Sequence, residues 1–151
     1  MATLKQTLQD DLTAAMRARD EVRVATLRMV LTGIRNDEVR GDVERELSDD
    51  EVEAVLRREA KRRREAVVAY GEAGRPDRAE REQAELAVLD AYLPAPLDPA
   101  ALAALVTQAI KDTGAAGPKA MGQVMKAVQP VVAGRADGAA VSAEVRRQLA
   151  G

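Results

Sequence analysis

Cysteine, histidine, tryptophan and phenylalanine do not occur in this chain of 151 residues. Their absence removes disulfides, thiolate nucleophiles, imidazole bases and the usual zinc ligand sets, since each needs a side chain the protein lacks. Serine occurs only at positions 48 and 142, and the only aromatic residues are Tyr70 and Tyr92. With so few flat rings, capture of single-stranded RNA by base stacking is not expected. No run of about 18 apolar residues exists, and the first dozen residues carry Lys5, Asp10 and Asp11, so neither a membrane span nor a signal peptide is expected. A soluble cytoplasmic protein with no membrane partner follows as the expectation, and the lack of cysteine fits a reducing compartment.

Apolar residues make up 46% of the chain, so its core must be built from Ala, Leu, Val, Met and Ile. The net charge of −2 conceals a difference between the two ends. Residues 1–95 hold 17 Lys/Arg against 21 Asp/Glu, a balance of −4, whereas residues 96–151 hold 6 against 4, a balance of +2. Alternating strand patterns are missing, and Ala, Leu, Glu and Arg dominate, which favours helix throughout. The expected fold class is all-α. An N-terminal helical domain, residues 1–95, would contain a long helical hairpin, and residues 96–151 would form a small three-helix domain.

Leu4, Leu8, Leu12, Ala15 and Met16 recur at helical spacing and predict a first helix with that face inward. Asp20 and Glu21 suit the amino end of a second helix, where negative charge meets the positive end of the helix dipole. Its stripe is Val22, Ala25, Met29, Val30, Gly33 and Ile34, broadened by Leu27 and Leu31. Ser48-Asp-Asp-Glu51 is a capping box, which starts a long helix near Asp49. Val52, Val55, Leu56, Ala60, Ala66, Val67 and Tyr70 form that helix's stripe, and Gly71 to Gly74 mark its end. Pro76 opens the next helix, with Ala79, Leu86, Leu89 and Leu93 inward, until Pro94 and Pro96 close it. These two helices predict an antiparallel hairpin turning at Gly71–Arg75. Counting outward from the turn sets Arg63 opposite Glu82, each a charge in an apolar stripe; the two either pair across the hairpin or extend to solvent.

Two prolines two apart in Leu93-Pro-Ala-Pro-Leu97 forbid a continuous helix there. Asp98 caps a new helix with Pro99 at its first position, Leu102, Leu105, Val106, Ala109 and Ile110 face inward, and Gly114 ends it. Pro118 opens a short helix with Met121, Val124, Met125 and Val128 on one face, and Pro130 is expected to close it. Asp137 is expected to cap a last helix with Val141, Val145 and Leu149 inside.

No catalytic outfit is visible. The chain has no Gly-rich phosphate loop with Lys-Ser/Thr and no histidine ligand; Ser48 is a helix cap, and Ser142 has no evident base. Acidic pairs such as Asp49-Asp50 or Glu80 and Glu82 read as solvated helix faces, so no metal or cofactor is expected. The run Arg57-Arg58-Glu59-Ala60-Lys61-Arg62-Arg63-Arg64 is the densest positive charge. It is either a ridge that meets phosphates or an exposed face paired with Glu51, Glu53, Glu65 and neighbouring acids, and the acidic surroundings favour the second. Fewer cations mark the C-terminal part, but they are better placed. Lys119 and Lys126 flank the Met121 helix, Arg135 precedes Asp137, and Arg146 and Arg147 lie away from the Val141 face. Backbone amides near Gly138 attract anions, either the Asp137 carboxylate or an external one. Such an array reads backbone and shape rather than base identity, which suits a folded RNA.

Tyr70, Ala73-Gly-Arg75, Asp77, Glu82, Glu85, Leu89 and Tyr92-Leu-Pro94, followed by Gly122-Gln-Val-Met-Lys126 and Ala133-Gly-Arg-Ala-Asp137, resemble the YqeY family over nearly the whole chain. The second half is also similar to the tail domain with which the B subunit of the tRNA-dependent amidotransferase holds tRNA. Where that tail has Gly-Lys-Ala-Asn, this chain has Gly134-Arg-Ala-Asp137, with extra residues around Pro130 to Ala133. Arginine keeps the charge and aspartate keeps a capping oxygen. The resemblance implies a tRNA-binding or tRNA-metabolism accessory protein, with Lys119, Lys126, Arg135, Arg146 and Arg147 on the tRNA backbone. An adaptor that docks on an amidotransferase or an aminoacyl-tRNA synthetase is the alternative. The family label also implies a carbon–nitrogen ligase that takes its amide from glutamine, but the amidotransferase's catalytic cradle has no counterpart among these residues.

Overall fold

The computed structural model describes residues 1–151 and contains seven α-helices and no strand. It divides into two compact units, Met1–Leu93 and Pro94–Gly151. No helix is long and apolar enough to cross a membrane.

Four helices build the first unit: α1 (Leu4–Ala18), α2 (Glu21–Glu38), α3 (Asp49–Glu72) and α4 (Pro76–Asp90). Each start has a local cause. Thr3 and Gln6 form a capping box on α1, the Asp20 side chain accepts from the Arg23 amide, Ser48 and Glu51 form the expected capping box on α3, and Pro76 is the first residue of α4. Gly74, at φ +70°, makes the turn of the α3–α4 hairpin. The core collects Leu8, Leu27, Val30, Ile34, Val52, Val55, Leu56, Ala60, Leu86 and Leu89.

Two methionines expected inside lie at the surface instead: Met16 is 43% exposed and Met29 is 47% exposed. In α2 the inward axis runs through Leu27, Val30 and Ile34; at about 100° per residue Met29 stands well away from it. Each sulfur takes an arginine N–H, Met16 from Arg28 at 3.4 Å and Met29 from Arg63 at 3.1 Å.

Arg63 is buried and ion-paired, not extended to solvent. Glu82 is its most distant carboxylate, at 3.9 Å; Glu85 lies at 3.4 Å and Glu59, one turn earlier on α3, at 2.9 Å. Glu59 and Glu85 are shared in turn with Arg62 and Arg81, at 3.7 and 3.2 Å. Three guanidinium groups thus face three carboxylates at the hairpin. A second buried carboxylate, Glu38, accepts Lys5 Nζ at 2.9 and 3.0 Å, which fastens α1 to the end of α2. The lysine hydrogen bond outweighs the cost of burial and holds Glu38 below the usual carboxylate range.

In the second unit α5 (Pro99–Thr113), a 3₁₀ turn (Pro118–Ala120), α6 (Met121–Val132) and α7 (Gly138–Ala150) surround a core of Leu102, Val106, Ala109, Val124, Val128, Val132, Val141, Val145 and Leu149. Asp98 caps α5 through the Ala101 amide at 2.7 Å, and Gly114 ends it at φ +65°. Two expectations fail here. Pro130 does not close α6, which runs on to Val132 with the proline inside it. Proline removes one helical hydrogen bond, but in the last turn that loss is offset by burial of Val132. Asp137 occupies the cap position of α7, yet its side chain makes no capping hydrogen bond.

Candidate nucleic-acid interface

The second unit owes the placement of its cations to its apolar stripes. Val124, Val128 and Val132 turn one side of α6 inward, so Lys126 projects from the opposite side and is exposed. Val141, Val145 and Leu149 do the same for α7, which puts Arg147 on the far face and Arg146 on the flank, both exposed. Lys119 is exposed on the 3₁₀ turn that leads into α6, and that turn packs against both α6 and α7. Packing therefore leaves Lys119, Lys126, Arg146 and Arg147 exposed on three adjoining elements.

Arg135 differs from the other four. It is only half exposed; its Nε donates to the Ala95 carbonyl at 2.8 Å, and its own carbonyl accepts from the Leu97 amide at 2.8 Å. These bonds pin the Pro94–Leu97 segment to the α6–α7 connection. Arg135 is thus a structural clasp as well as a surface cation.

Arg147 is also committed. Its Nε donates to Glu144 Oε2 at 2.9 Å, and this pairing, reinforced by Gln148, pulls the Glu144 carboxyl down to about 2. No other ion pair forms in the second unit. Of its six cations, Lys111, Lys119, Lys126, Arg135 and Arg146 have no carboxylate partner. Lys111, in the last turn of α5, was not among the sequence candidates, because a lysine there is already accounted for by the negative end of the helix dipole.

The basic run of α3 behaves in the opposite way. Arg57 pairs with Glu53 at 2.7 Å, Arg58 with Asp37 at 3.4 Å, Arg62 and Arg63 with Glu59, and Arg64 with Asp90 at 4.0 Å, which leaves only Lys61 unpaired. It is largely neutralised by its own domain. No group of three or more acidic side chains is arranged to hold a metal ion.

The family model for YqeY-like proteins matches residues 5–149. The chain belongs to the YqeY-like family. The match spans both units, so the helical hairpin and the C-terminal three-helix unit are both parts of a YqeY-like protein. No curated protein matches the chain.

Proposed function

We propose that this YqeY-like protein is a non-catalytic tRNA-binding accessory that grips the RNA backbone by charge and shape through its C-terminal unit. One observation carries the reading. Eleven of the 17 cations in residues 1–93 are spent on ion pairs, from Lys5–Glu38 to Arg81–Glu85, whereas one of six is spent in residues 94–151. A cation already paired must give up its carboxylate to meet a phosphate, while an unpaired one releases only water and counterions. The overall charge of −2 therefore understates the attraction the second unit offers a polyanion.

Phosphate contacts of this kind fix position and carry no sequence information by themselves, which suits recognition of a folded RNA by its shape. The uncapped start of α7 adds to the reading. Asp137 leaves the first amides of that helix without a side-chain acceptor, close in sequence to Arg135.

The test is tRNA binding by the intact protein and by a Lys119→Ala, Lys126→Ala, Arg146→Ala variant. None of these three side chains makes an ion pair, so the substitutions leave the fold in place. The variant is expected to lose at least tenfold in affinity. Unchanged tRNA affinity would discard the reading in favour of an adaptor that docks on another protein.

A further inference from the structure

A cavity of about 460 Å³ in the first unit is used neither by the hairpin's ion network nor by the RNA reading of the second unit. It opens between the end of α2, the 39–47 segment and the first turns of α3. Three arginines, Arg40, Arg45 and Arg58, and two acids, Asp37 and Glu51, line it above an apolar floor formed by the partly buried Leu47 and the exposed Ala54.

The arginines are not equivalent. Arg45 is fully engaged: its two terminal nitrogens meet the two oxygens of Glu51 at 2.9 and 2.5 Å. That pair forms a fixed wall with no net charge. Arg40 and Arg58 instead share one carboxylate. Arg40 Nη2 lies 2.7 Å from Asp37 Oδ1, while the terminal nitrogens of Arg58 stand 3.5 and 3.4 Å from Oδ2. Charge-assisted N–H···O bonds settle at about 2.7–2.9 Å, so Arg58 is the loosely held partner. Two guanidinium groups on one carboxylate leave a positive charge uncompensated at the rim. Both present forks whose geometry suits a phosphate.

A bare inorganic anion would use this rim and leave the Leu47–Ala54 floor wet. A ligand that also carries a flat apolar face covers the floor, and a ribose hydroxyl finds an acceptor in Asp37, whose Oδ2 is only loosely met by Arg58. The volume lies within the range of small-molecule sites, about 300–1,000 Å³. We infer that this cavity binds a nucleoside monophosphate, with the phosphate on Arg58 and Arg40 and the base over Leu47 and Ala54. The same chemistry is offered by a free nucleotide and by the phosphorylated end of an RNA chain.

The probe is AMP, titrated calorimetrically into the intact protein at low salt, with adenosine as the control. AMP is expected to bind and adenosine to bind far more weakly. Arg58→Ala should weaken AMP by about tenfold or more, and Arg58→Lys by less, since lysine keeps the charge and loses the fork. Asp37→Asn, which removes the competing carboxylate, should bind AMP at least as tightly as the parent. Helix content by circular dichroism confirms that each variant is folded. A 5′-phosphorylated trinucleotide separates the two sources: if it binds tighter than AMP and loses the gain on dephosphorylation, the occupant is an RNA end; if AMP binds tighter, it is the free nucleotide. No heat from AMP at millimolar concentration, equal binding of adenosine, or an AMP affinity unmoved by Arg58→Ala would overturn the inference. The Lys119, Lys126, Arg146 variant should bind AMP normally, so the outcome is independent of tRNA binding by the second unit.

Discussion

At the level of single residues, Arg63 governs the first unit. It is 3% exposed, and its Nε makes no hydrogen bond although Glu85 lies within ion-pair reach. Its charge stays inside because Glu59, Glu82 and Glu85 surround it. Removing the arginine leaves their negative charge short of a partner, so Arg63→Ala should destabilise the protein by about 3 kcal/mol or more in urea unfolding. If the cost comes from orphaned charge and not from lost packing, Arg63→Met combined with Glu59→Leu should recover most of it. An equally unstable double variant would contradict that account. The sequence marked Arg63 as a charge in an apolar stripe and set Glu82 opposite it. Glu59, which the sequence shows only as one acid within the basic run, stands seven residues after Val52 and four before Arg63 and therefore on the same face.

Tyr92 yields a second prediction at this scale. Its hydroxyl donates to Asp11 Oδ2 at 2.5 Å, across 81 residues of chain, and burial followed by that bond pushes the phenol up to about 12. An unfolded tyrosine titrates near 10. Below that pH both states keep the proton and the stabilisation is whole. Between pH 10 and 12 the unfolded chain releases its proton first, so stability falls as pH rises. Tyr92→Phe should cost about 1–2 kcal/mol at neutral pH and flatten this alkaline slope, as measured by denaturation at pH 8, 10 and 11. A slope unchanged by the substitution would place its origin elsewhere.

At the level of elements, helix starts were legible where the capping chemistry is local. Ser48 with Glu51 and Asp98 with Pro99 act as their types and spacing imply. The glycine-marked ends at Gly74 and Gly114 are legible too, whereas the end of α6, set by burial that no local pattern records, and the cap geometry of α7 are not. Asp137 has the right type at the right position and still makes no cap. Pro130 has the type that ends helices, yet Val132 beyond it is buried beside Val124 and Val128. α6 therefore carries a missing hydrogen bond and a proline ring pressed on the preceding turn. Pro130→Ala should restore the bond. Set against the greater freedom it gives the unfolded chain, the expected gain is about 1–2 kcal/mol, measured by thermal or urea unfolding. A loss of stability on substitution would mean that the proline shapes the turn at Ala133, where φ is +49°.

For the molecule as a whole, the seven-helix fold class could be read from propensity and stripe spacing. The division of labour between cations could be read only in outline. The acidic surroundings of the dense run at Arg57–Arg64 favour pairing there, and the sparser set after Pro118 is the better placed, but the partners are not legible in the sequence. Three-dimensional pairing supplies them, because α2, α3 and α4 bring carboxylates to every arginine of the run, while the second unit has few acids to spend. The size of the salt dependence follows from this. Of the five cations without a carboxylate partner, the proposed RNA face uses four: Lys119, Lys126, Arg146 and, through the part of its guanidinium not held by Ala95, Arg135. The logarithm of tRNA affinity against the logarithm of salt should then fall with a slope of about −3 to −4, at roughly 0.7–0.9 per phosphate neutralised. Each single alanine substitution at Lys119, Lys126 or Arg146 should reduce that slope by about one such step, whereas Arg57→Ala and Arg62→Ala should leave it unchanged. A slope that responded to the α3 arginines and ignored the second unit would show that those ion pairs open for RNA, and would move the binding face to the hairpin.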